Sequence, residues 1–244
     1  MGQVVKLQQK RLLYMGLIAV LVLIWFFYRA NGPQTTAVLA GTVRAATLLA
    51  LGAMCGMIGE RSGVVNIGIE GQFLLSAFAA FTIASMTGSL FMGTIAGVGM
   101  GLLMGWVLAG MAVGLKVDQI IAGTVLNISA LGLTSFFYDR SRSLGMGKYT
   151  NIDLGPLADL PLVGTVLFSR PPLTYLTMAL LVVVHIALFR SVWGMRTRAI
   201  GEHPGAADTV GIDVIKLRYF NVTIAGGLAG LGGAYLALEA VGTF

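Results

Sequence analysis

Long apolar runs separated by short polar breaks are the feature that most constrains how this chain folds. About 20 apolar residues in a helix cross roughly 30 Å of hydrocarbon, and one soluble core cannot bury so many such runs. Only 11% of the residues are charged and 57% are hydrophobic, which argues against an ordinary soluble domain. The sequence therefore predicts an all-α, polytopic transmembrane protein with about seven spans. The predicted spans are residues 12–28, 35–58, 66–86, 90–115, 119–138, 173–189 and 219–241.

The distribution of basic residues predicts the orientation of these spans, because cytoplasmic segments carry an excess of Lys and Arg. With the N-terminus in the cytoplasm, ten of the 16 basic residues lie in cytoplasmic segments and five in external ones. The first span is then a retained anchor, since Tyr28 and Arg29 follow it where a cleavage site needs small residues. We expect an external loop at residues 139–172 and a cytoplasmic loop at 190–218, in a single transmembrane domain of residues 1–244.

The polar stretch RAIGEHPGAADTVGID, residues 198–213, stands between two of the apolar runs. Pro204 suits the first turn of a short helix, and Gly211 can adopt the left-handed conformation that ends one. Gly205, Ala206 and Ala207 keep the surface of this helix shallow, which suits contact with a partner protein. The alternative is a loop helix that lies on the lipid surface without a partner.

A second polar stretch, GERSGVVNIGIEG at residues 59–71, joins two apolar runs without a loop. Asn66 and Glu70 are four residues apart and would share a helix face, while Gly63 and Gly68 allow the backbone to break. The stretch is either a tight cytoplasmic turn or a broken helix whose polar groups face a solute path. Asn127 is a further pathway candidate, with an interhelical hydrogen bond as the alternative.

Small residues recur every four positions in the fourth span and occupy similar steps in the last one. Such a helix face permits close backbone contact, so we expect these residues to pack helices rather than to contact a solute. The residues are Gly93, Gly97, Gly101, Gly105 and Ala109, followed by Ala225, Gly226, Gly230 and Gly233.

Several kinds of chemistry lack the residues that they need. Cys55 is the only cysteine, so neither a disulfide nor a thiolate metal site can form within the chain. His185 and His203 fall in different compartments, which argues against a metal centre. The sequence contains no phosphate-binding loop, no G-x-S-x-G elbow and no H-E-x-x-H pair, so we predict no catalytic residues and no ATP hydrolysis by this chain. The dispersed basic residues fit membrane topology better than nucleic-acid binding.

Four segments in a fixed order carry a family resemblance: GERSGVVNIGIEG, DQIIAGTVLNISALGLTSF, PLADLPLVG and GMRTRAIGEHPGAADTVGIDVIKLRYF. Together they resemble the permease subunit of bacterial ABC importers, in the ribose, branched-chain amino acid and nucleoside permease family. The nucleoside or simple-sugar branch is the most similar. The resemblance extends from about residue 45 to residue 244, and several linked motifs make it more specific than any single one.

The resemblance implies a protein of the bacterial inner membrane that imports a nucleoside or similar small polar solute. Its partners would be a separate ATPase that holds ATP and Mg²⁺, a second permease subunit, an extracellular solute-binding lipoprotein and membrane lipid, with no cofactor in this chain. Family members continue with further spans, so we expect a truncated chain; alternatives are a sugar or branched-chain amino acid permease, or a non-transporting membrane scaffold. Residues implied to contact the ATPase are Gly201, Glu202, Pro204, Ala206, Ala207 and Gly211.

Overall fold

A computed structural model describes residues 14–16, 19–20, 22–138, 144–145, 147–153, 155–158 and 160–244. Within them, six helices are long and apolar enough to cross a membrane, which confirms the predicted all-α, polytopic fold. We number the helices from the first of these six. They are α1 Gly32–Arg61, α2 Ile69–Thr87, α3 Leu90–Ala109, α4 Gln119–Phe137, α5 Pro172–Arg190, α6 Val192–Glu202, α7 Pro204–Thr209 and α8 Val214–Tyr235.

The second to sixth predicted spans coincide closely with α1 to α5. The last helix, α8, begins earlier than predicted, because the Asp213 side chain accepts a hydrogen bond from the Lys216 N–H and caps the helix. Both α3 and α8 continue into a π-helical turn, Gly110–Gly114 and Leu236–Val241 respectively. The predicted first span, residues 12–28, lies partly outside the described residues; residues 22–30 are helical.

The chain divides into two compact units, and the boundary between them falls within α1. The first unit comprises the described residues of Met1–Arg44 together with Ile152–Arg170. It contains the antiparallel strands β1 Ile152–Asp153 and β2 Ser169–Arg170, which the sequence did not predict. The buried Arg170 side chain donates from Nε to the Val166 carbonyl at 2.6 Å and from Nη1 to the Ala40 carbonyl at 3.3 Å.

The second unit, Ala45–Asn151 and Pro171–Phe244, is built around α8. In the most apolar window of this helix 78% of the residues are buried, against 22% in α1, so α8 is the central helix. One side of α8 packs with α1 and α5, through residues such as Leu51, Leu188 and Tyr235. Another packs with α2, where Phe81 of α2 and Ala234 of α8 belong to one apolar cluster. Central burial of α8 places its two ends in contact with several other elements.

The α3 and α8 helices approach at backbone distance along a row of small residues, which we call the glycine seam. A Cβ atom added to Gly105 would lie 2.7 Å from the Val222 carbonyl oxygen, and one added to Gly230 would lie 2.5 Å from the Gly97 carbonyl oxygen. No side chain larger than hydrogen fits there without displacement. The prediction that these glycines pack helices is therefore confirmed.

Candidate functional site

Residues 62–68, here called the break segment, form the non-helical link between α1 and α2 and lie against α4. The Val65 N–H donates to Gln119 Oε1 at 2.7 Å. Farther along α4, Asn127 Nδ2 donates to the Ile67 carbonyl at 3.1 Å, and Asn127 Oδ1 accepts from the Gly71 N–H at 2.7 Å. The two α4 side chains are eight positions apart along the helix, so the break segment follows α4 for about 12 Å.

Asn66 lies on the buried side of the break segment and joins a polar cluster between α1 and α2. Its Oδ1 accepts from the Gly68 N–H at 2.9 Å, and its Nδ2 donates to Gln72 Oε1 at 3.1 Å. Cys55 Sγ lies 3.6 Å from the same Nδ2 atom. Gln72 and Ser76 are fully buried, and neither Gln72 Nε2 nor Ser76 Oγ has a hydrogen-bond partner among the described residues. The cluster therefore keeps unused hydrogen-bonding capacity in an apolar surrounding.

Glu70 behaves differently from its neighbours. Its side chain is exposed in the first turn of α2, where the positive end of the helix dipole favours a carboxylate. No described residue forms an ion pair or side-chain hydrogen bond with it. Of the three predicted pathway residues, Asn66 and Asn127 already form hydrogen bonds with backbone or amide groups. The Glu70 carboxylate forms none with the described residues.

The predicted cytoplasmic loop, residues 190–218, which we call the coupling segment, contains α6, α7 and the first turn of α8. A hydrogen-bond chain anchors α6 to α8: Trp193 Nε1 donates to Asn221 Oδ1 at 3.0 Å, and Asn221 Nδ2 donates to Thr197 Oγ1 at 3.1 Å. Both Thr197 and Asn221 are fully buried. The base of the segment is therefore fixed to the central helix.

Helix α7 begins at Pro204, and Gly211 adopts φ of +82° shortly after its end, as the sequence predicts. Pro204 and Ala206 are exposed, as are Glu202 and Gly211, whereas Ala207 is only 4% exposed and packs inward. Gly201 is half-buried, and a Cβ atom there would lie 3.3 Å from the Gly63 nitrogen. The six residues implied to contact a partner therefore divide into four exposed ones and two that pack within the chain.

Arg218 joins the coupling segment to the break segment, a role that the sequence analysis did not predict. Its Nε donates to the Ser62 carbonyl at 2.9 Å and its Nη2 donates to the Ile200 carbonyl at 3.1 Å. In the sequence this arginine counts only as a basic residue near the start of a span. Its two acceptors are backbone carbonyl oxygens distant along the chain, and a pattern of side chains does not predict which backbone atoms an arginine contacts.

Glu239 is a second residue whose role lies outside the sequence prediction. Its buried carboxylate accepts from the Leu173 N–H at 2.8 Å and from the Thr174 N–H at 3.2 Å, at the N-terminus of α5. Helix N-termini leave unpaired N–H groups that favour an anionic partner. Glu239 therefore ties the π-helical end of α8 to the start of α5.

Asp213 caps α8 at the other end of the helix. The backbone N–H of Lys216 donates to its carboxylate at 3.0 Å and, with the Lys216 ammonium group, holds the pKa of Asp213 below its usual value. Among the described residues, no group of three or more His, Cys, Asp or Glu side chains is placed to hold a metal ion.

Six apolar helices, a buried central helix and a projecting polar segment define a multi-pass membrane protein. Residues 38–243 match the family described as the permease component of the branched-chain amino acid transport system, and the chain belongs to this family. The predicted recognition of an ABC importer permease is thereby confirmed. The same match and the six helices support the predicted location, a multi-pass protein of the inner membrane.

Curated relatives include sugar and nucleoside permeases. The chain is 38% identical over 204 residues to a putative glucose ABC transporter permease of Haloferax volcanii, covering 82% of this chain and 62% of the relative. It is 34% identical to the guanosine ABC transporter permease of Bacillus subtilis, covering 82% of this chain and 66% of that protein. A nucleoside ABC transporter permease of Lactococcus lactis is 33% identical, with coverage of 78% and 63%. The chain thus spans slightly less than two thirds of each of these relatives, and no solved structure matches it.

Proposed function

We propose that this chain is a membrane-spanning permease subunit of an ABC importer, which moves a nucleoside or a similar small polar solute inward. The observation that carries this proposal is the family match over residues 38–243, with guanosine and nucleoside permeases among the relatives. ATP and Mg²⁺ would bind to a separate ATPase subunit, and this chain would contain no cofactor of its own. A second permease subunit and an extracellular solute-binding lipoprotein would complete the importer.

The coupling segment would dock with the ATPase on the cytoplasmic side. Its exposed α7 borders a shallow groove of about 280 Å³, which is lined by Pro204, Gly205, Asp208, Asp213, Val214 and Ile215. Val210 is 74% exposed and Ile215 is 60% exposed, so apolar side chains flank two carboxylates. This combination suits a partner surface that offers an apolar contact with a basic residue beside it.

The break segment would border the solute path, with Asn66, Glu70 and Asn127 as the residues that face it. Glu70 would contact the solute or its hydration water, because its carboxylate is exposed and unpaired among the described residues. Asn66 would hold the backbone before Glu70, at Gly68, and Asn127 would hold it on both sides of Glu70, at Ile67 and Gly71. Polar, irregular backbone is tolerated at membrane depth where it lines such a cavity.

A sugar is the second candidate solute, because the glucose permease relative shares 38% identity with this chain. A branched-chain amino acid is a third, on the description of the family. A membrane scaffold that transports nothing is the alternative from another functional class.

Uptake by proteoliposomes tests these candidates. The permease is reconstituted with its co-purified ATPase and solute-binding protein, and uptake of radiolabelled guanosine, glucose and leucine is measured with and without ATP. We expect ATP-dependent accumulation of guanosine. Accumulation of glucose or leucine alone would replace the proposed solute, and no ATP-dependent uptake of any solute would favour the scaffold.

A further inference from the structure

We propose that Arg218 is a positioning residue that transmits movement of the coupling segment to the break segment, and so to the solute path. This inference rests on the proposed function and adds a residue whose contacts on both sides can be tested. Its guanidinium group donates to the Ser62 carbonyl at 2.9 Å and to the Ile200 carbonyl at 3.1 Å, and so connects two elements that are distant in the sequence.

Both acceptors lie at helix ends where no other described residue donates to them. Ile200 is in the last turn of α6, and the residue four positions later is Pro204, which has no N–H to offer. Ser62 follows the last residue of α1. A cation at the C-termini of two helices is favoured by both helix dipoles and satisfies carbonyl groups that would otherwise be unpaired. Pro204 thus leaves the Ile200 carbonyl without a helical N–H donor, and Arg218 supplies the donor instead.

The fit around this contact is tight enough to transmit displacement. Gly63 adopts φ of +81°, and a Cβ atom on it would lie 2.8 Å from Arg218 Nη2 and 3.4 Å from the Gly201 Cα atom. The backbone of the break segment therefore touches the end of α6 directly. Close-packed contacts of this kind shift as units rather than deform gradually.

Among the described residues, the two carbonyl groups are the partners of the Arg218 guanidinium group. No carboxylate of a described residue pairs with it, although Asp213 and Lys216, in the preceding turn, pair with each other at 2.9 Å. A guanidinium group holds two acceptors in a fixed planar arrangement, which a flexible ammonium group does not. Arginine at this position therefore fixes the spacing between the coupling segment and the break segment.

Displacement of the break segment reaches the predicted path through continuous backbone. Ser62 and Asn66 belong to the same seven-residue link, which ends where α2 begins and where Glu70 occupies the first turn. On its far side the link is held by Gln119 and Asn127 of α4. Movement of the end of α6, which leads into α7, would therefore shift Glu70 relative to α4.

The test compares Arg218→Met and Arg218→Lys with the control Lys116→Met, in the permease complex purified with its ATPase and reconstituted in proteoliposomes. Lys116 is an exposed basic residue that lies outside both the coupling segment and the break segment. ATPase co-purification, ATP hydrolysis per complex and guanosine taken up per ATP hydrolysed are measured. We expect the methionine variant to retain ATPase and hydrolysis but to lose about tenfold in uptake per ATP. The lysine variant should be intermediate and the control unchanged.

Gly63→Ala supplies an independent approach to the same contact, because its Cβ atom would displace the guanidinium group. It should reproduce the loss, and combining it with Arg218→Met should add little. If Arg218→Met fails to accumulate, the ratio is read from Arg218→Lys. An unchanged ratio of guanosine uptake to ATP hydrolysis, whether both rates fall together or neither falls, would overturn this proposal alone. Absence of ATP-driven uptake by the unsubstituted complex would overturn the proposed function as well.

Discussion

Asn127 and Glu70 differ in whether their side chains already form hydrogen bonds within the protein. The Asn127 amide accepts from the Gly71 N–H and donates to the Ile67 carbonyl, so its hydrogen bonds already stabilise the local fold. The Glu70 side chain is exposed and unpaired among the described residues. An exposed carboxylate in a span of this composition needs water or a solute as its partner. Glu70 is therefore the more informative of the two for transport.

We expect Glu70→Ala to lower solute uptake by about tenfold, the factor for losing one hydrogen bond to a charged group, without releasing the ATPase. Uptake and ATPase co-purification are measured on the same preparation. Glu60→Ala is the matched control, since Glu60 is an exposed carboxylate near the end of α1. Normal uptake with a lower melting temperature would instead assign Glu70 a structural role.

At the scale of whole elements, the glycine seam brings the backbones of α3 and α8 into direct contact. Substitution of Gly101 by Ala would place a Cβ atom against Gly226 and Gly230 of α8, whereas a Cβ atom on Gly99 meets nothing within 4 Å. Overpacking of this kind costs about 1–3 kcal/mol. We expect Gly101→Ala to lower the melting temperature and the amount of protein in the membrane, with Gly99→Ala unchanged. Equal behaviour of the two variants would show that the seam does not hold α3 to α8.

Helix α7 allows docking to be separated from folding, because its two adjacent alanines differ in burial. Ala206 is exposed and Ala207 is 4% exposed. We expect Ala206→Trp to abolish co-purification of the ATPase at an unchanged melting temperature, since the added bulk faces a partner. Ala207→Trp should lower the melting temperature itself. Full recovery of the ATPase with Ala206→Trp would contradict the docking role of α7.

Helices and their packing were largely predictable, whereas the contacts between backbone and side chain were not. Apolar length and four-residue spacing predict the spans and the glycine seam, because both are properties of a single helix. The roles of Arg218 and Glu239 depend instead on backbone atoms of other elements, which any sequence can supply. The start of α8 was misplaced for a related reason: polar residues such as Lys216 and Arg218 extend a helix that the apolar pattern alone ends later.

At the scale of the whole molecule, the helices that surround α8 in the second unit carry exposed apolar side chains. Leu49 of α1 is 72% exposed, Ile128 of α4 is 67% exposed and Val182 of α5 is 60% exposed. Outward apolar surface around a buried central helix is the arrangement expected of a protein surrounded by lipid. The direction in which the helices cross the membrane follows from the basic residues alone and stays a prediction.

Cysteine labelling in intact cells tests this direction. Thr150→Cys should react with a membrane-impermeant maleimide from outside, whereas Ala206→Cys should react only after permeabilisation; both positions are exposed. Cys55 is fully buried and gives little background. The reverse labelling pattern would place the coupling segment outside and exclude contact with a cytoplasmic ATPase.

The glycine seam also determines how this gene can vary. Every amino acid that a single-nucleotide change can substitute for glycine carries a Cβ atom, so no such substitution at Gly97, Gly101, Gly226 or Gly230 avoids the facing backbone or side chain. Gly99 and Gly110 have open space where a Cβ atom would lie, so a small apolar replacement such as alanine fits there. Inherited variation along α3 should therefore follow the helical repeat, with intolerant codons about four apart between tolerant ones.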